Sequence, residues 1–311
     1  MPMRVLIAED DTVSRRLLQA MLTKWGYEVL VARDGAEAWQ VLSQDDSPNL
    51  AILDWMMPNI DGVELCRRAR QLRGRGYVYI ILLTAKGRKE DVIEGIEGGA
   101  DDYLVKPIHA GEFRARLRAA SRILDLQTQL LAAQEALLEQ ATHDPLTGLW
   151  NRPAVFAALE RDLARASREN SPVGVLMADL DHFKRVNDTF GHDIGDEVLR
   201  QAADRMHSVI RAYDTLGRYG GEEFLIVAPG CTVDTAASLG ERIRLAIAKQ
   251  PILAGETPLT VNISLGAAAC NNGSTQAATL VQAADQAMYK AKNAGRNRVE
   301  TCDCGVPSAS Q

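Results

Sequence analysis

Short apolar runs that end in acidic or hydroxyl residues alternate with helical segments through the first third of the chain. The runs include "RVLIAED", "NLAILDW" and "YVYIILLTA", and a segment with helical periodicity follows each of them. Five such strands and five helices predict an α/β fold with a parallel, doubly wound sheet that is covered on both faces. A sheet of this kind places its functional groups at the carboxyl ends of its strands.

Polar residues follow four of the five predicted strands and are therefore expected to meet in one pocket. They are Glu9, Asp10 and Asp11 after the first strand, Asp54 after the third, Thr84 after the fourth and Lys106 after the fifth. Clustered carboxylate oxygens suit Mg²⁺, and an Asp held against that ion can attack a phosphoryl group. One acid alone at a strand end is better interpreted as a helix cap or turn residue, so the prediction depends on the set.

Four pieces of this region, "LIAEDD", "LDWMMPNIDG", "LLTA" and "ADDYLVKP", resemble the receiver domain of bacterial two-component response regulators. The resemblance covers residues 3 to about 121 and implies a flavodoxin-like fold with Asp54 as the phosphoacceptor. It implies a histidine kinase or phosphotransfer protein as a partner. The implied Mg²⁺ pocket consists of Glu9, Asp10, Asp54 and the Met56 carbonyl. The implied switch pair is Thr84 and Tyr103, with Lys106 contacting the phosphate. The family more often has Asp at the position of Glu9.

The last helix of this region continues far beyond the length that one domain needs. No Gly or Pro interrupts the chain from residue 112 to residue 142, and two apolar stripes run along it. One stripe consists of Leu117, Leu124, Leu131 and Leu138, and the other of Ile123, Leu126, Leu130, Ala133 and Leu137. Such a helix needs a partner surface. We favour a parallel two-stranded coiled coil over a helix that lies against its own domain, and a homodimer follows from that choice.

The second part of the chain is again α/β and contains the stretch "TLGRYGGEEFLIVAP". Gly-Gly favours a two-residue hairpin turn in which both residues tolerate positive φ, and Gly220 and Gly221 leave room for a bulky anion. Glu222 and Glu223 follow this turn directly. Asp179 falls at the end of the strand in "LMADLDHFKRVND", so it could hold a divalent cation together with Glu222 if the two strands are neighbours. A solvated hairpin is the simpler interpretation of "GGEEF" alone.

Five segments in one order, "DPLTGLWNR", "DLDHFKRVNDTFGHDIGDEVL", "RAYDTLGRYGGEEF", "NISLGAA" and "ADQAMYKAKNAGRNRV", resemble the GGDEF family of diguanylate cyclases over residues 144–299. That family condenses two GTP molecules into cyclic di-GMP and two pyrophosphates, on a mixed sheet of the nucleotide-cyclase type. The implied metal ligands are Asp179, Glu222 and the Leu180 carbonyl. Glu223 would bind a second metal or help to deprotonate the 3′-hydroxyl. Asn187 and Asp196 would bind guanine, because a carboxylate accepts from guanine N–H groups that adenine lacks. The implied phosphate-side residues are Phe183, Lys184, Lys292 and Arg296, with Lys184 counted among the catalytic residues.

Five residues separate the motif "RAYD", which ends at Asp214, from Gly220. At this offset the family places its inhibitory product site, so Arg211, Asp214 and Arg242 are implied to bind cyclic di-GMP. A surface ion pair between Arg211 and Asp214 is the alternative for the motif alone.

These observations predict a receiver domain over 1–121, a helical coiled-coil linker over 122–143, a GGDEF domain over 144–301 and a disordered tail over 302–311. A phosphorylation-regulated, product-inhibited diguanylate cyclase is the predicted function, and a catalytically silent cyclic di-GMP effector is the alternative. The chain has no run of eighteen apolar residues, so no membrane span is expected. The net charge of -6 and the absence of a Lys/Arg-dense segment argue against DNA binding. Five scattered cysteines and the absence of a secretory signal favour the cytoplasm.

Overall fold

The computed structural model describes residues 2–72, 76–85, 89–254, 257–272 and 275–303. The chain divides into two compact units, residues 1–134 and residues 135–311. Within the described residues, the helices include none that is long and apolar enough to cross a membrane.

The first unit contains a five-stranded, all-parallel sheet in the order β2-β1-β3-β4-β5. The strands are β1 Arg4–Ala8, β2 Glu28–Ala32, β3 Leu50–Asp54, β4 Tyr79–Thr84 and β5 Asp102–Val105. The helices are α1 Thr12–Lys24, α2 Gly35–Leu42, α3 Gly62–Gln71, α4 Lys89–Glu97 and α5 Ala110–Thr142. One apolar core lies between the sheet and α1 with α5, and another lies between the sheet and α2 with α3. The predicted doubly wound sheet is confirmed.

Side chains that cap helices explain where several helices of this unit begin. Asp11 accepts a hydrogen bond from the Ser14 amide at 2.7 Å, and Asp34 and Asp61 cap α2 and α3 in the same way. The hydrogen bonds that Asp11 accepts from Ser14 lower the pKa of its carboxyl. The prediction that Asp11 joins the acid pocket is therefore wrong, because its carboxylate serves the start of α1.

Helix α5 changes its environment along its length. Leu117 and Leu124 are buried in the core of the first unit, whereas Leu131 and Leu138 are 56% and 65% exposed. Leu130 on the second stripe is 59% exposed. The first part of the helix thus packs against its own domain, and from about residue 126 onward both apolar stripes face solvent.

The second unit contains a mixed five-stranded sheet in the order β12-β11-β6-β8-β7. Its strands are β6 Val173–Leu180, β7 Thr215–Arg218, β8 Glu223–Pro229, β11 Ile263–Cys270 and β12 Val299–Asp303, and the small hairpin of β9 Ile252–Ala254 and β10 Thr257–Leu259 stands apart. The helices are α6 Arg152–Glu169, α7 Phe183–Phe190, α8 His192–His207, α9 Val233–Ala248 and α10 Ala277–Asn293. The β11–β12 pair is parallel and the other pairs of the large sheet are antiparallel.

Two separate cores hold this sheet. Helices α7, α8 and α9 cover one face, and α6 and α10 cover the other. Because side chains alternate along a strand, Ala178 and Leu180 of β6 enter the first core and Met177 enters the second. β12 reaches Asp303 and therefore includes two residues that the sequence assigns to a tail. The rest of that predicted tail, 304–311, lies outside the described residues.

Candidate active site and phosphoacceptor pocket

Three carboxylates meet at the carboxyl edge of the first sheet. The ligand oxygens of Glu9, Asp10 and Asp54 all lie within 4.8 Å of one another. Glu9 and Asp54 are buried, while Asp10 is exposed. Among the described residues, these three form the one group of three or more possible ligand side chains that lie close enough to share a metal ion. The donor set is made of hard oxygens, which fits Mg²⁺.

Lys106 supplies the positive charge in this pocket. Its Nζ atom lies 2.8 Å from Glu9 Oε2 and 3.0 Å from Asp54 Oδ2. Burial alone would lower the pKa of Lys106, but the hydrogen bonds to Glu9 and Asp54 raise it, so the ammonium stays charged. Burial raises the pKa of Glu9 despite the contact with Lys106. The lysine thus already bridges the proposed phosphoacceptor and a metal-pocket acid.

The other predicted residues of this pocket lie on the neighbouring strands. Thr84 is buried at the end of β4, and its carbonyl accepts from the Lys106 amide at 2.8 Å. Tyr103 is half-buried on β5, with the Arg116 guanidinium carbon 5.5 Å from its ring centroid. Met56 follows Asp54 in the loop after β3, and its side chain is 67% exposed. The sheet therefore brings Asp54, Thr84 and Lys106 to one edge, as the sequence predicts.

In the second unit, the strand that ends in Asp179 lies beside the hairpin that carries the two glutamates. β6 pairs antiparallel with β8 so that Asp179 stands opposite Glu223, and the Leu180 amide donates to the Glu222 carbonyl at 3.3 Å. Lys292, near the end of α10, places its Nζ atom 2.7 Å from Asp179 Oδ2. Asp179, both glutamates and Lys292 thus lie at one edge of this sheet.

The turn that connects β7 and β8 differs from the predicted one. Neither Gly220 nor Gly221 has positive φ, so the expected two-residue turn with two left-handed residues is wrong. The hydrogen bonds indicate a longer loop, in which the Tyr219 and Gly220 amides both donate to the Glu223 carbonyl. The small size of Gly220 still matters, since a Cβ there would lie 2.5 Å from the Glu223 carboxylate.

Asp179 is buried, whereas Glu222 and Glu223 are half-buried, and the pKa values of all three acids are raised. Burial raises the pKa of Asp179, and Lys292 opposes the shift. Burial and the charge of Asp179 raise the pKa of Glu222 and of Glu223. A hard divalent cation would relieve this repulsion, so Asp179 and Glu222 fit a Mg²⁺ site.

Two sequence-predicted guanine contacts stand on the helix pair α7–α8. Asn187 and Asp196 are both half-buried. Gly195 lies beneath Asn187, because a Cβ at Gly195 would collide with the Asn187 side-chain oxygen. Sequence reasoning missed Gly195, although its place next to Asp196 was a usable signal. Phe183 belongs to the apolar core, while Lys184 and Arg296 are exposed.

Asp181 is a second residue that the sequence interpretation left out of the site. It is buried, and its two oxygens accept from Ser264 Oγ at 2.7 Å and from the Asn297 amide at 3.0 Å. Asn297 follows Arg296, and both residues adopt left-handed backbone angles, with φ of 46° and 63°. Asp181 therefore fixes the turn that carries Arg296, and both of its carboxylate oxygens accept hydrogen bonds there.

Asp144 and Arg218 connect the end of α5 to the glycine turn. Arg218 Nη1 donates to both oxygens of Asp144, at 3.1 and 3.2 Å, and its Nε and Nη2 donate to the Gly221 carbonyl. Asp144 also accepts from the amide and hydroxyl of Thr147. Sequence reasoning did not predict this pair, because 74 residues separate its members.

The predicted inhibitory site takes shape around a tight turn. Asp214 Oδ2 accepts from the Arg211 amide at 2.9 Å, whereas the Arg211 guanidinium contacts Tyr213. Among the described residues, Asp214 Oδ1 is a buried oxygen without a hydrogen-bond partner. Arg242 Nη2 donates to the Val209 carbonyl at 2.7 Å. The simple surface ion pair between Arg211 and Asp214 is not formed.

An acid pocket at the carboxyl edge of a parallel sheet, followed by an α/β unit with acids beside a glycine turn, defines a response regulator with a second functional unit. The profile described as "Response regulator receiver domain" matches residues 5–118. The profile described as "Diguanylate cyclase, GGDEF domain" matches residues 141–298. The chain belongs to the GGDEF family of diguanylate cyclases and carries a receiver domain ahead of its GGDEF domain.

Similar proteins share this organisation wholly or in part. The response regulator PleD of Caulobacter vibrioides is 33% identical over 298 residues, which are 95% of this chain and 65% of PleD. The coiled coil and GGDEF domain of DgcB from Caulobacter crescentus, in complex with c-di-GMP, is 30% identical with a TM-score of 0.55 and covers 61% of this chain and 99% of that one. Diguanylate cyclase SiaD of Pseudomonas aeruginosa, in complex with its activator SiaC, is 37% identical with a TM-score of 0.51 and covers 62% of this chain and 74% of that one. The chain thus spans about two thirds of the length of PleD.

Proposed function

We propose that this chain is a phosphorylation-regulated diguanylate cyclase that converts two GTP molecules into cyclic di-GMP and two pyrophosphates. The proposal rests on one observation: β6 and β8 pair so that Asp179 lies opposite Glu223, with Lys292 2.7 Å from Asp179 and the glycine turn alongside. Similarity to PleD, a response regulator, and to DgcB, which binds c-di-GMP, supports the same activity.

Each residue of this site has a defined task in the proposal. Asp179, Glu222 and the Leu180 carbonyl hold Mg²⁺, which lowers the charge on the phosphate under attack. Lys292, Arg296 and Lys184 bind the triphosphate. Asn187 and Asp196 read the guanine edge, because the Asp196 carboxylate accepts from N–H groups that adenine lacks.

The bond changes are those of an in-line phosphoryl displacement. The 3′-oxygen of one GTP forms a bond to the α-phosphorus of the other, and the bond from that phosphorus to the bridging oxygen breaks. Pyrophosphate leaves, and the Glu223 carboxylate takes the 3′-hydroxyl proton. The raised pKa of Glu223 suits a group that accepts a proton near neutral pH.

Two copies of the chain are needed, because each domain holds one GTP and the reaction joins two. The exposed leucines of α5 from Leu126 to Leu138 supply the surface for a parallel coiled coil. Pairing converts an encounter of two nucleotides into a proximity effect, so the geometry of the dimer sets the rate.

Phosphorylation of Asp54 by a histidine kinase or phosphotransfer protein controls that geometry in the proposal. Lys106 contacts both Glu9 and Asp54. A phosphoryl group on Asp54 gives the lysine a stronger anionic partner, and Thr84 and Tyr103 complete the switch. The changed surface of the receiver domain then alters the register or crossing angle of the coiled coil.

Product inhibition belongs to the same proposal. The unpartnered Asp214 Oδ1 can accept from a guanine, and the exposed Arg211 can fork onto a guanine or phosphate. Arg242, which donates to the Val209 carbonyl, is the third proposed contact. The same observation favours the second candidate function, a cytoplasmic effector that binds cyclic di-GMP without making it.

Incubation of the purified full-length chain with GTP and Mg²⁺, with and without a phosphodonor mimic, tests the proposal. We expect cyclic di-GMP and pyrophosphate by chromatography, with more product when the mimic is present. Binding of cyclic di-GMP without any synthesis would support the effector function instead.

A further inference from the structure

Two cavities of the second unit share a wall formed by Glu223 and Asp285. The larger cavity, about 930 Å³, is also lined by Lys290 and Lys292. The smaller cavity, about 600 Å³, lies between α6, the β7–β8 turn and α10, and is lined by neither lysine. We name the smaller one the α6–α10 cavity.

The lining of the α6–α10 cavity combines apolar groups and a neutral amide with the charged side chains of Arg152, Glu223 and Asp285. Phe156 and Met177 contribute apolar surface, and Gln282 contributes an amide. Arg152 lies over Tyr219, with its guanidinium carbon 4.3 Å from the ring centroid and its Nη2 atom 3.3 Å from the tyrosine hydroxyl. Arg152 is thereby engaged with Tyr219, so the cavity offers less charge to a triphosphate than the neighbouring one does.

The cavity lies on the opposite face of the sheet from the guanine-reading helices. α7 and α8, which carry Asn187 and Asp196, pack on the first face, whereas the α6–α10 cavity is built on the second. A nucleotide held by Asn187 and Lys292 has its base on one face and its phosphates at the edge. Its own base therefore does not reach this cavity.

In-line displacement requires the attacking and leaving oxygens on opposite sides of the phosphorus. The leaving pyrophosphate belongs beside Lys292, which lines the larger cavity. The α6–α10 cavity lies across the shared wall, with Glu223 between the two. A hydroxyl that approaches from this cavity therefore meets Glu223 on the side away from the leaving group.

We propose that the α6–α10 cavity is the acceptor subsite: it receives the ribose of the GTP that a second copy of the chain carries. Hydroxyl groups of the sugar hydrogen-bond to the Gln282 amide and the Asp285 carboxylate, and its C–H face packs on Phe156 and Met177. The 3′-oxygen then stands beside Glu223. This inference rests on the proposed cyclase function and adds a site that binds the ribose only when two copies of the chain meet.

Filling the cavity tests the inference without touching the donor nucleotide's contacts. The variant Gln282→Trp occupies the cavity from α10, and Ala278→Trp does so one turn earlier. Thr279→Trp is the matched control, because Thr279 is exposed on the same helix and does not line the cavity. For each full-length protein, kcat for cyclic di-GMP and the Kd of a non-reactive GTP analogue are measured, with circular dichroism to verify folding.

We expect both filling variants to lower kcat about 100-fold, since a small misplacement of reacting groups costs that much. The Kd of the analogue should stay within about threefold of its value for the unmodified chain, which is a change of under 1 kcal/mol. Thr279→Trp should behave like the unmodified chain. Unchanged kcat in a folded filling variant overturns the inference, and so does a large loss of analogue binding, which would assign the cavity to the donor nucleotide.

A mixed dimer localises the defect to one side. A chain with Asp179→Asn, which cannot act as donor site, is paired with a chain that carries either Thr279→Trp or Gln282→Trp. The first pair should make the linear dinucleotide from a single attack, and the second pair should make about 100-fold less. Equal yields from both pairs would contradict the acceptor role. If the unmodified chain makes no cyclic di-GMP at all, the proposed function itself fails, which is a different outcome.

Discussion

The two acid sites of this chain differ in how complete they are. In the receiver domain, Glu9, Asp10 and Asp54 converge within 4.8 Å and Lys106 bridges two of them. In the GGDEF domain, Lys292 forms an ion pair with the buried Asp179, while Glu222 and Glu223 are half-buried at the edge of the neighbouring hairpin. In the proposed function, one copy of the chain supplies every side chain for phosphoryl transfer to Asp54, whereas cyclic di-GMP synthesis needs the nucleotide site of a second copy.

This difference follows from the topology of each sheet. Parallel strands bring their carboxyl ends to one edge, so residues at the ends of β1, β3 and β5 meet. Antiparallel β6 and β8 place Asp179 opposite Glu223, and Glu222 belongs to the turn that precedes β8, with its carbonyl still accepting from the Leu180 amide. In the proposed function, a compact acid pocket suits a switch that holds one phosphoryl group, and an open edge suits a site whose GTP must meet the GTP of a second copy.

The largest expected effect comes from removing the charge of Asp179. Asp179→Asn keeps the shape of the side chain but loses the proposed metal ligand and the charged partner of Lys292, so we expect kcat for cyclic di-GMP to fall about 1000-fold. The measurement is product formation from GTP over a Mg²⁺ titration. Glu169→Gln, an exposed acid at the end of α6, is the control and should leave the rate unchanged.

The matched change in the other site should act on regulation alone. Asp54→Asn removes the proposed phosphoacceptor, so the response to a phosphodonor mimic should disappear while the basal rate persists. An undiminished response to the mimic, with unchanged dimerisation, would contradict the control by Asp54. A loss of the basal rate as large as that expected for Asp179→Asn would show that the receiver site and the GGDEF site do not act separately.

A smaller effect is expected at Asp181, which is a positioning residue. Asp181→Ala removes both acceptor oxygens, so Ser264 Oγ and the Asn297 amide lose their partner and the turn that carries Arg296 loosens. We expect the KM for GTP to rise about tenfold while kcat stays within a few-fold, which is the pattern of lost ground-state binding. A thermal unfolding scan separates this from a general loss of stability.

The alternative for Asp181 is a direct metal contact, and the two make different predictions. A metal ligand would lower kcat and shift the Mg²⁺ dependence, as expected for Asp179. Arg296→Lys should reproduce the rise in KM, because the lysine keeps the charge and loses the forked guanidinium. A variant at Asp181 that changes kcat and not KM would contradict the positioning role.

Sequence patterns predicted the parallel sheet and its acid pocket because both depend on local periodicity and on strand ends. They also placed Asp179 near the glycine turn. They failed at Asp11, where a helix cap competed with the acid cluster, and at Gly220, where loop length changed the turn geometry. Asp181 and the Asp144–Arg218 pair were missed because their partners are distant in sequence, at separations of 116 and 74 residues. Such contacts exist only once the sheet has assembled.

The smallest expected effect concerns Asp144, which connects the end of α5 to the glycine turn. Burial opposes its ionisation, yet hydrogen bonds from Thr147 and Arg218 hold the pKa of Asp144 below its ordinary value of 3.8. A carboxylate with a lowered folded-state pKa stabilises the fold above its unfolded pKa, and that stability is lost as the pH falls through the folded pKa. Asp144→Asn should therefore lower the free energy of unfolding by about 1.5 kcal/mol at neutral pH, and the difference should vanish in acid.

Asp162 is the matched control for this pH dependence, because its side chain and that of Asp144 are both 18% exposed and both lie near an arginine. Burial raises the pKa of Asp162, so its charged form costs stability, and its contribution is lost as the pH rises through the folded pKa. Asp162→Asn should thus leave stability at neutral pH unchanged or slightly higher. Urea unfolding of the full-length chain between about pH 3 and pH 7 measures both variants. If the free energy of unfolding changes with pH in the same way in both variants, the hydrogen bonds from Arg218 to Asp144 add no stability beyond that of an ordinary surface ion pair.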